Sequence, residues 1–431
     1  MNFPLKPGML LGTATAATQI EGGDQNNSWY DWYRRGYIKD NASPETATEH
    51  LKRWREDLEL MSGMGIQCCR FSVEWGRVEP EDGVFDEQAI ARCREEIQAM
   101  AEQGIKPLLT LHHFSNPMWL EEKGAFAVRD NITYFLRYVH KMVESLGDLV
   151  SEYITINEPN VYAFNGYLDG SWPPGKRNPL DLARVLTNLT AAHIEAYGLI
   201  RKTRLKMGYS DTKVGFANHL RSFSPKDPKN PLHRFWASRA EELFQGNLTR
   251  AMCTGHAAFP IGRHPSIVPG RYCDFHGINY YTRSTVSGPA NGAAEGVPVN
   301  SLGWEIYPQG IVEVCRKAYQ LLPRPIYITE NGTCGADAFR ARYIAEHLEA
   351  LCGSGLPVER YYHRGFCDCW EWTEGTSARF GLVHVEYPSQ RRTVKASGEF
   401  YRQVIAQGGV SEELYRQYCG VSYPTAREDA V

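Results

Sequence analysis

The strongest constraint on this chain is an alternation. Short apolar, β-branched runs recur near residues 9–15, 68–73, 106–113, 153–158, 214–220, 274–281, 325–330 and 358–366, with longer amphipathic segments between them. Runs of that length bounded by turn-formers read as strands. The intervening segments, for example 50–65, 86–104 and 338–355, repeat apolar residues at helical spacing, and each ends at a glycine able to cap it. A strand–helix repeat makes parallel sheet, and eight units predict an α/β fold, the (β/α)8 or TIM barrel. With 431 residues, 42% of them apolar, the chain can bury a large core. No stretch reads as a linker, so residues 1–431 are expected to form a single (β/α)8 catalytic domain.

Two of the strand-forming runs end alike. ITINEPN at 154–160 and IYITENG at 326–332 each place a glutamate before turn-formers, so Glu158 and Glu330 are expected at strand ends facing a cleft. Functional side chains of a barrel stand at the C-terminal ends of its strands. Paired carboxylates there suit glycosidic bond cleavage, one serving as acid and base and the other as nucleophile, with the carboxyl groups about 5–5.5 Å apart in a retaining enzyme. On this reading the negative charge of Glu330 raises the pKa of Glu158 and keeps it protonated for its task.

The balance of charge removes other classes. A net charge of −3 offers no footprint for nucleic acid or an anionic membrane, which leaves a neutral or small substrate as the expected partner. The N-terminus has no charged segment followed by a long apolar one, and no stretch is apolar over the roughly 18 residues that a membrane span needs. A cytoplasmic protein is expected. Its 11 cysteines are odd in number and sit inside strand and helix patterns, so reduced thiols are expected. Neither the adjacent Cys68 and Cys69 nor the pair Cys367 and Cys369 has a second cluster at metal-ligand spacing, and neither metal nor cofactor is expected.

Further segments carry a resemblance. LGTATAATQIEGG (11–23), RFSVEWGRVEP (70–80), LLTLHHFSNPMWL (108–120), GINYYT (277–282) and EWTEGTSARFGL (371–382) occur in the order and spacing found in glycoside hydrolase family 1, the β-glucosidase family. The resemblance runs from about Gly8 to about Tyr418. It implies that Glu158 is the acid/base and Glu330 the nucleophile, that Arg70 and Tyr281 contact the nucleophile, and that Asn157 bonds the sugar 2-hydroxyl. Gln19, His113, Glu371 and Trp372 match positions that bind the non-reducing sugar, or glycone. Trp119, Phe164, Trp172 and Trp304 are candidates for the leaving-group side.

One place departs from the pattern. RYYHRGFCDCWEW (360–372) puts Arg364 where the family usually has the tryptophan that floors the sugar site, and Cys369 where asparagine is common. A guanidinium can stack as an indole does, but it brings charge and loses apolar area. The other reading is that Arg364 turns away and Trp370 fills the gap. The branch acting on phosphorylated sugars resembles a different pattern, with serine at the Glu371 position and lysine and tyrosine seven and nine residues on, where this chain has Ala378 and Phe380. Arg364 leaves a small opening for an anionic sugar. The expected activity is that of a retaining β-glycosidase acting on a small glycoside or oligosaccharide. A transglycosylase of the same family and a catalytically weakened sugar-binding barrel remain as alternatives, and the oligomeric state is left open.

Overall fold

Strands that are apolar on both faces cannot stand at an open edge, and here they close on one another. The computed structural model describes residues 1–425; the last six residues of the expected 1–431 domain lie outside the described residues. Eight strands, numbered in chain order, form the barrel: β1 Leu10–Ala14, β2 Cys68–Ser72, β3 Lys106–His112, β4 Glu152–Asn157, β5 Lys213–His219, β6 His276–Asn279, β7 Ile326–Asn331 and β8 Val358–Arg364. Each pairs in parallel with its neighbours, and β8 closes back onto β1 through Arg360 opposite Leu10 to Arg364 opposite Ala14. All eight expected strands are present, with boundaries shifted by a few residues.

The barrel interior is filled at its lower end by Cys68, Leu108, Ile154, Ala217, Phe275, Tyr327 and Tyr362, with Phe275 and Tyr327 stacked at 4.2 Å. The outward-facing residues of the same strands join the helices in a second, larger core. Helix formation follows local signals. Asp86 caps Glu87–Glu102 by accepting from Gln88 and Ala89, and the buried face of that helix is Ala89, Ile90, Cys93, Ile97 and Met100. Asn178 and Pro179 start the 28-residue helix Pro179–Lys206 in the same manner. Among the described residues no helix is long and apolar enough to cross a membrane.

Smaller elements decorate one end. A three-stranded sheet of Ser222–Pro225, Arg283–Val286 and Asn291–Gly292 is built from the connections that leave β5 and β6, and a hairpin, Val383–Glu386 with Arg391–Val394, follows β8. All of them belong to the C-terminal rim of the barrel, around the cleft described next.

Candidate active site

A cleft of about 310 Å³ opens at the C-terminal ends of the strands, and both Glu158 and Glu330 line it. Neither arrives there by simple strand alternation. Pairing shifts register between Ile154 and Asn157 on β4 and between Ile328 and Glu330 on β7, and such irregularities re-aim the side chains that follow. Glu158 itself takes φ 42°, ψ 57°, a left-handed conformation uncommon for a residue before proline. Phe114 (φ 69°) and Trp372 (φ 53°), two walls of the same cleft, are also left-handed. Strain of about 1–3 kcal/mol per residue is thus gathered at one site and carried by the surrounding barrel. The residue after β7 is Gly332, where a Cβ would meet the Arg364 carbonyl oxygen at 2.1 Å.

Glu330 is gripped on both oxygens. Arg70 Nη1 donates to Oε1, the Tyr281 hydroxyl donates to Oε2, and Arg364 Nε lies 3.4 Å from Oε2. Arg70 is fully buried and spends its remaining donors on Thr110 Oγ1 (3.1 Å), the Thr329 carbonyl (3.2 Å) and Asn157 Oδ1 (2.6 Å). Asn157 Nδ2 in turn donates to His113 Nε2 at 3.0 Å, which leaves the proton of the neutral ring on Nδ1. That Nδ1 is buried with no protein partner among the described residues. Burial, with Arg70 and Arg364 nearby, pushes His113 well below the usual histidine range and keeps it neutral.

Glu158 accepts from Asn279 Nδ2 at 2.8 Å and lies 3.5 Å from His219 Nδ1. Here the structure corrects the expectation of a raised pKa. Burial does push the carboxyl up, but the bonds from His219 and Asn279 and the charge of Arg70 outweigh it and hold Glu158 below the ordinary range.

Arg364 does not turn away. It lines the cleft, with its guanidinium 4.7 Å above the Phe380 ring. It forks onto Glu371 through Nη1 to Oε1 (2.8 Å) and Nη2 to Oε2 (2.7 Å), and Nη2 also reaches Gln19 Oε1 at 3.2 Å. Cys369 Sγ adds a 3.1 Å contact to Glu371 Oε1. With both carboxylates already on it, Arg364 has little capacity left for an anionic sugar. Trp370, the residue weighed as a replacement floor, is fully buried behind the cleft, donates to the Ala42 carbonyl and packs on Trp29 and Trp372.

Of the other aromatic candidates, Trp172 and Trp304 line the cleft. Trp119 instead donates to the Glu79 carbonyl and packs on Trp75 and Tyr134, and Phe164 packs on Phe244 behind the wall. Sequence reasoning missed His219, Arg221 and Asn279. Asn279 stood in the quoted GINYYT segment and was legible as a strand-end amide; nothing local marks the other two. Away from the cleft, beside the N-terminal end of β6, Cys253, Cys273 and His276 gather three potential metal donors, a cluster that spacing along the chain did not reveal. They are joined to one another at 3.5 and 3.9 Å, and His276 Nε2 donates to the Leu322 carbonyl.

A (β/α)8 barrel whose mouth holds two buried carboxylates, hydrogen-bonding amides and tryptophan walls defines a class, the barrel enzymes that act on sugars. The family model "Glycosyl hydrolase family 1" matches residues 2–410, and the chain belongs to that family. It is 31% identical to beta-glucosidase A of Thermotoga maritima, over 94% of this chain and 98% of that protein, and 25% identical to a beta-galactosidase of Pyrococcus woesei, over 96% and 98%. Among solved structures, a beta-glycosidase from Pyrococcus horikoshii superposes with a TM-score of 0.89 at 34% identity, covering 98% of this chain and 99% of that one. The Thermotoga maritima beta-glucosidase in complex with glucoimidazole gives 0.89 at 28% identity, covering 94% and 100%. The protein is a glycoside hydrolase of the β-glucosidase type.

Proposed function

We propose that the protein is a retaining β-glycosidase, a single catalytic domain that hydrolyses terminal β-linked glycosides by double displacement without metal or cofactor. The observation that carries this reading is the grip on Glu330: Arg70 and Tyr281 each bind one of its oxygens, which fixes the orientation a nucleophile needs. In the first step a Glu330 oxygen bonds to the anomeric carbon as the bond to the leaving oxygen breaks, and the proton of Glu158 passes to that oxygen. In the second, Glu158 takes a proton from water, the water oxygen bonds to the anomeric carbon, and the Glu330 ester is released. The bonds from His219 and Asn279 and the charge of Arg70 hold the Glu158 carboxyl down, so its acid form depends on substrate drawing on those bonds.

Asn157, fixed between Arg70 and His113, is the partner for the 2-hydroxyl, and His113 lines the cleft beside it. Gln19, Glu371 and Trp372 complete the glycone side, with Arg364 beneath them. A glucose-shaped glycone is supported by the similar Thermotoga maritima enzyme having been solved with glucoimidazole. Glu330→Ala removes the covalent path, so turnover of aryl β-glucosides falls by several orders of magnitude while the circular dichroism spectrum stays native. Added azide then restores cleavage of a dinitrophenyl glycoside and yields the α-glycosyl azide. Near-normal turnover by the folded variant removes Glu330 from this role.

A further inference from the structure

Three arginines approach this cleft, and only two of them are matched by carboxylates. Arg70 is held by Glu330, and Arg364 by Glu371 and Glu330. The third, Arg221, follows β5 by two residues and lines the cleft beside Glu158, His219 and Asn165. Its Nε donates to His219 Nε2 at 2.9 Å, and its guanidinium lies 5.2 Å from the Phe244 ring centre. Its backbone is clamped by Gln245, which accepts from the Arg221 N–H (2.8 Å) and donates to its carbonyl (2.9 Å). Among the described residues no Asp or Glu pairs with the guanidinium. Burial lowers the pKa of Arg221, and Glu158 is the one charge that opposes this. A half-buried guanidinium that lines a cleft without a counter-charge is suited to pair with an anion there.

Position assigns the side of the cleft. Arg221 is linked to Glu158 through His219, whereas Gln19, Glu371 and Trp372 form the glycone end with Arg364. Because Nε is committed to His219, the two Nη groups remain as a planar pair of donors, the geometry that suits a carboxylate. Trp304, Leu302 and Val161 supply apolar wall to the same cleft.

We propose that the leaving-group subsite takes an aglycone bearing a carboxylate, of the hydroxybenzoate or hydroxyalkanoate kind, with Arg221 as its anchor. This rests on the reading of Glu158 as the acid. The pairing also aids the chemistry: a negative group placed near Glu158 disfavours its ionised form, opposing the depression that His219 and Asn279 impose.

The test compares two substrates that differ in one charge, 4-carboxyphenyl β-glucoside and its methyl ester, in wild type, Arg221→Gln and Arg221→Lys. The ratio of kcat/KM values, acid over ester, falls about tenfold or more in Arg221→Gln, is partly kept in Arg221→Lys, and declines with added salt in wild type. Any disturbance of His219 acts on both substrates and cancels in the ratio. Calorimetry with 4-hydroxybenzoate and its methyl ester reads the same preference without turnover. A ratio and a binding preference that stay within threefold of wild type in folded Arg221→Gln overturn the proposal. Failure of wild type to cleave even the ester counts against the retaining-glycosidase reading instead, and the calorimetric comparison then decides the role of Arg221 alone.

Discussion

Arg364 changes what Glu371 and Gln19 can offer a sugar. Glu371 accepts two bonds from Arg364, one from Cys369 Sγ and one from Gln19 Nε2 at 3.3 Å, so its four lone-pair sites are taken and a hydroxyl must compete for them. The Arg364 side chain also sits 3.4 Å from Glu330, and a second cation beside a carboxylate proposed as nucleophile blunts its attack. Replacing Arg364 by tryptophan frees Glu371 and restores an apolar face, and burying such a face is worth on the order of 2 kcal/mol, roughly thirtyfold in rate. Arg364→Trp is therefore expected to raise kcat/KM on p-nitrophenyl β-glucoside by about tenfold or more. A fall on that substrate, in a variant with a native spectrum, makes Arg364 a recognition element for the natural glycone. An unchanged rate on a panel of glycosides places it out of contact with sugar.

At the scale of elements, the strands and the amphipathic helices were legible because their periodicity is set by burial alone. The placement of Glu158 and Glu330 at the cleft was legible too, since apolar runs ending in Asn-Glu-Pro and Glu-Asn-Gly leave the glutamates few other places to go. The shifts of register that turn Glu158 and Glu330 into the cleft were not, because a bulge depends on the neighbouring strand rather than on local sequence. His219 and Arg221 escaped notice for a related reason: they acquire meaning only when β5 is set beside β4.

The same holds for His50, the first residue of helix His50–Gly63. Its ring contacts Asp57 Oδ2 and Glu96 Oε1, each at 2.8 Å, and Arg392 closes the cluster on Asp57 at 2.9 Å. Burial pushes the imidazolium down, yet Glu96 and Asp57 prevail and raise it to about 10. Because the folded pKa exceeds the unfolded value, this stabilisation is fully present below about pH 6.5 and is lost as pH rises towards 10. The urea midpoint is expected to fall over that window. His50→Leu takes away the cation shared by Asp57 and Glu96, which keep Arg392 and Arg92, costs about 1–3 kcal/mol at pH 6, and flattens this part of the stability profile. A variant that keeps the wild-type slope between pH 7 and 9 removes His50 from that role.

For the molecule as a whole, the barrel divides labour along its axis. The lower interior holds the stacked Phe275 and Tyr327, both fully buried, while the upper interior holds Arg70, Asn157 and the two glutamates. The lower layer fixes strand positions without touching substrate, and the upper layer spends local strain on orienting polar groups. A defect in one is therefore felt differently from a defect in the other. Phe275→Ala deletes a ring from a close-packed interior, for which about 3–5 kcal/mol is expected from lost transfer energy and the cavity left behind. The folded fraction should nonetheless keep kcat within about threefold of wild type, because β6 is held on both sides by β5 and β7 and still presents Asn279 and Tyr281 to the cleft. Urea titration followed by circular dichroism, together with active-site counting by a mechanism-based inhibitor, measures the two quantities separately. A large loss of kcat per active site at unchanged stability reverses the assignment and makes the lower layer part of the machinery that positions the carboxylates.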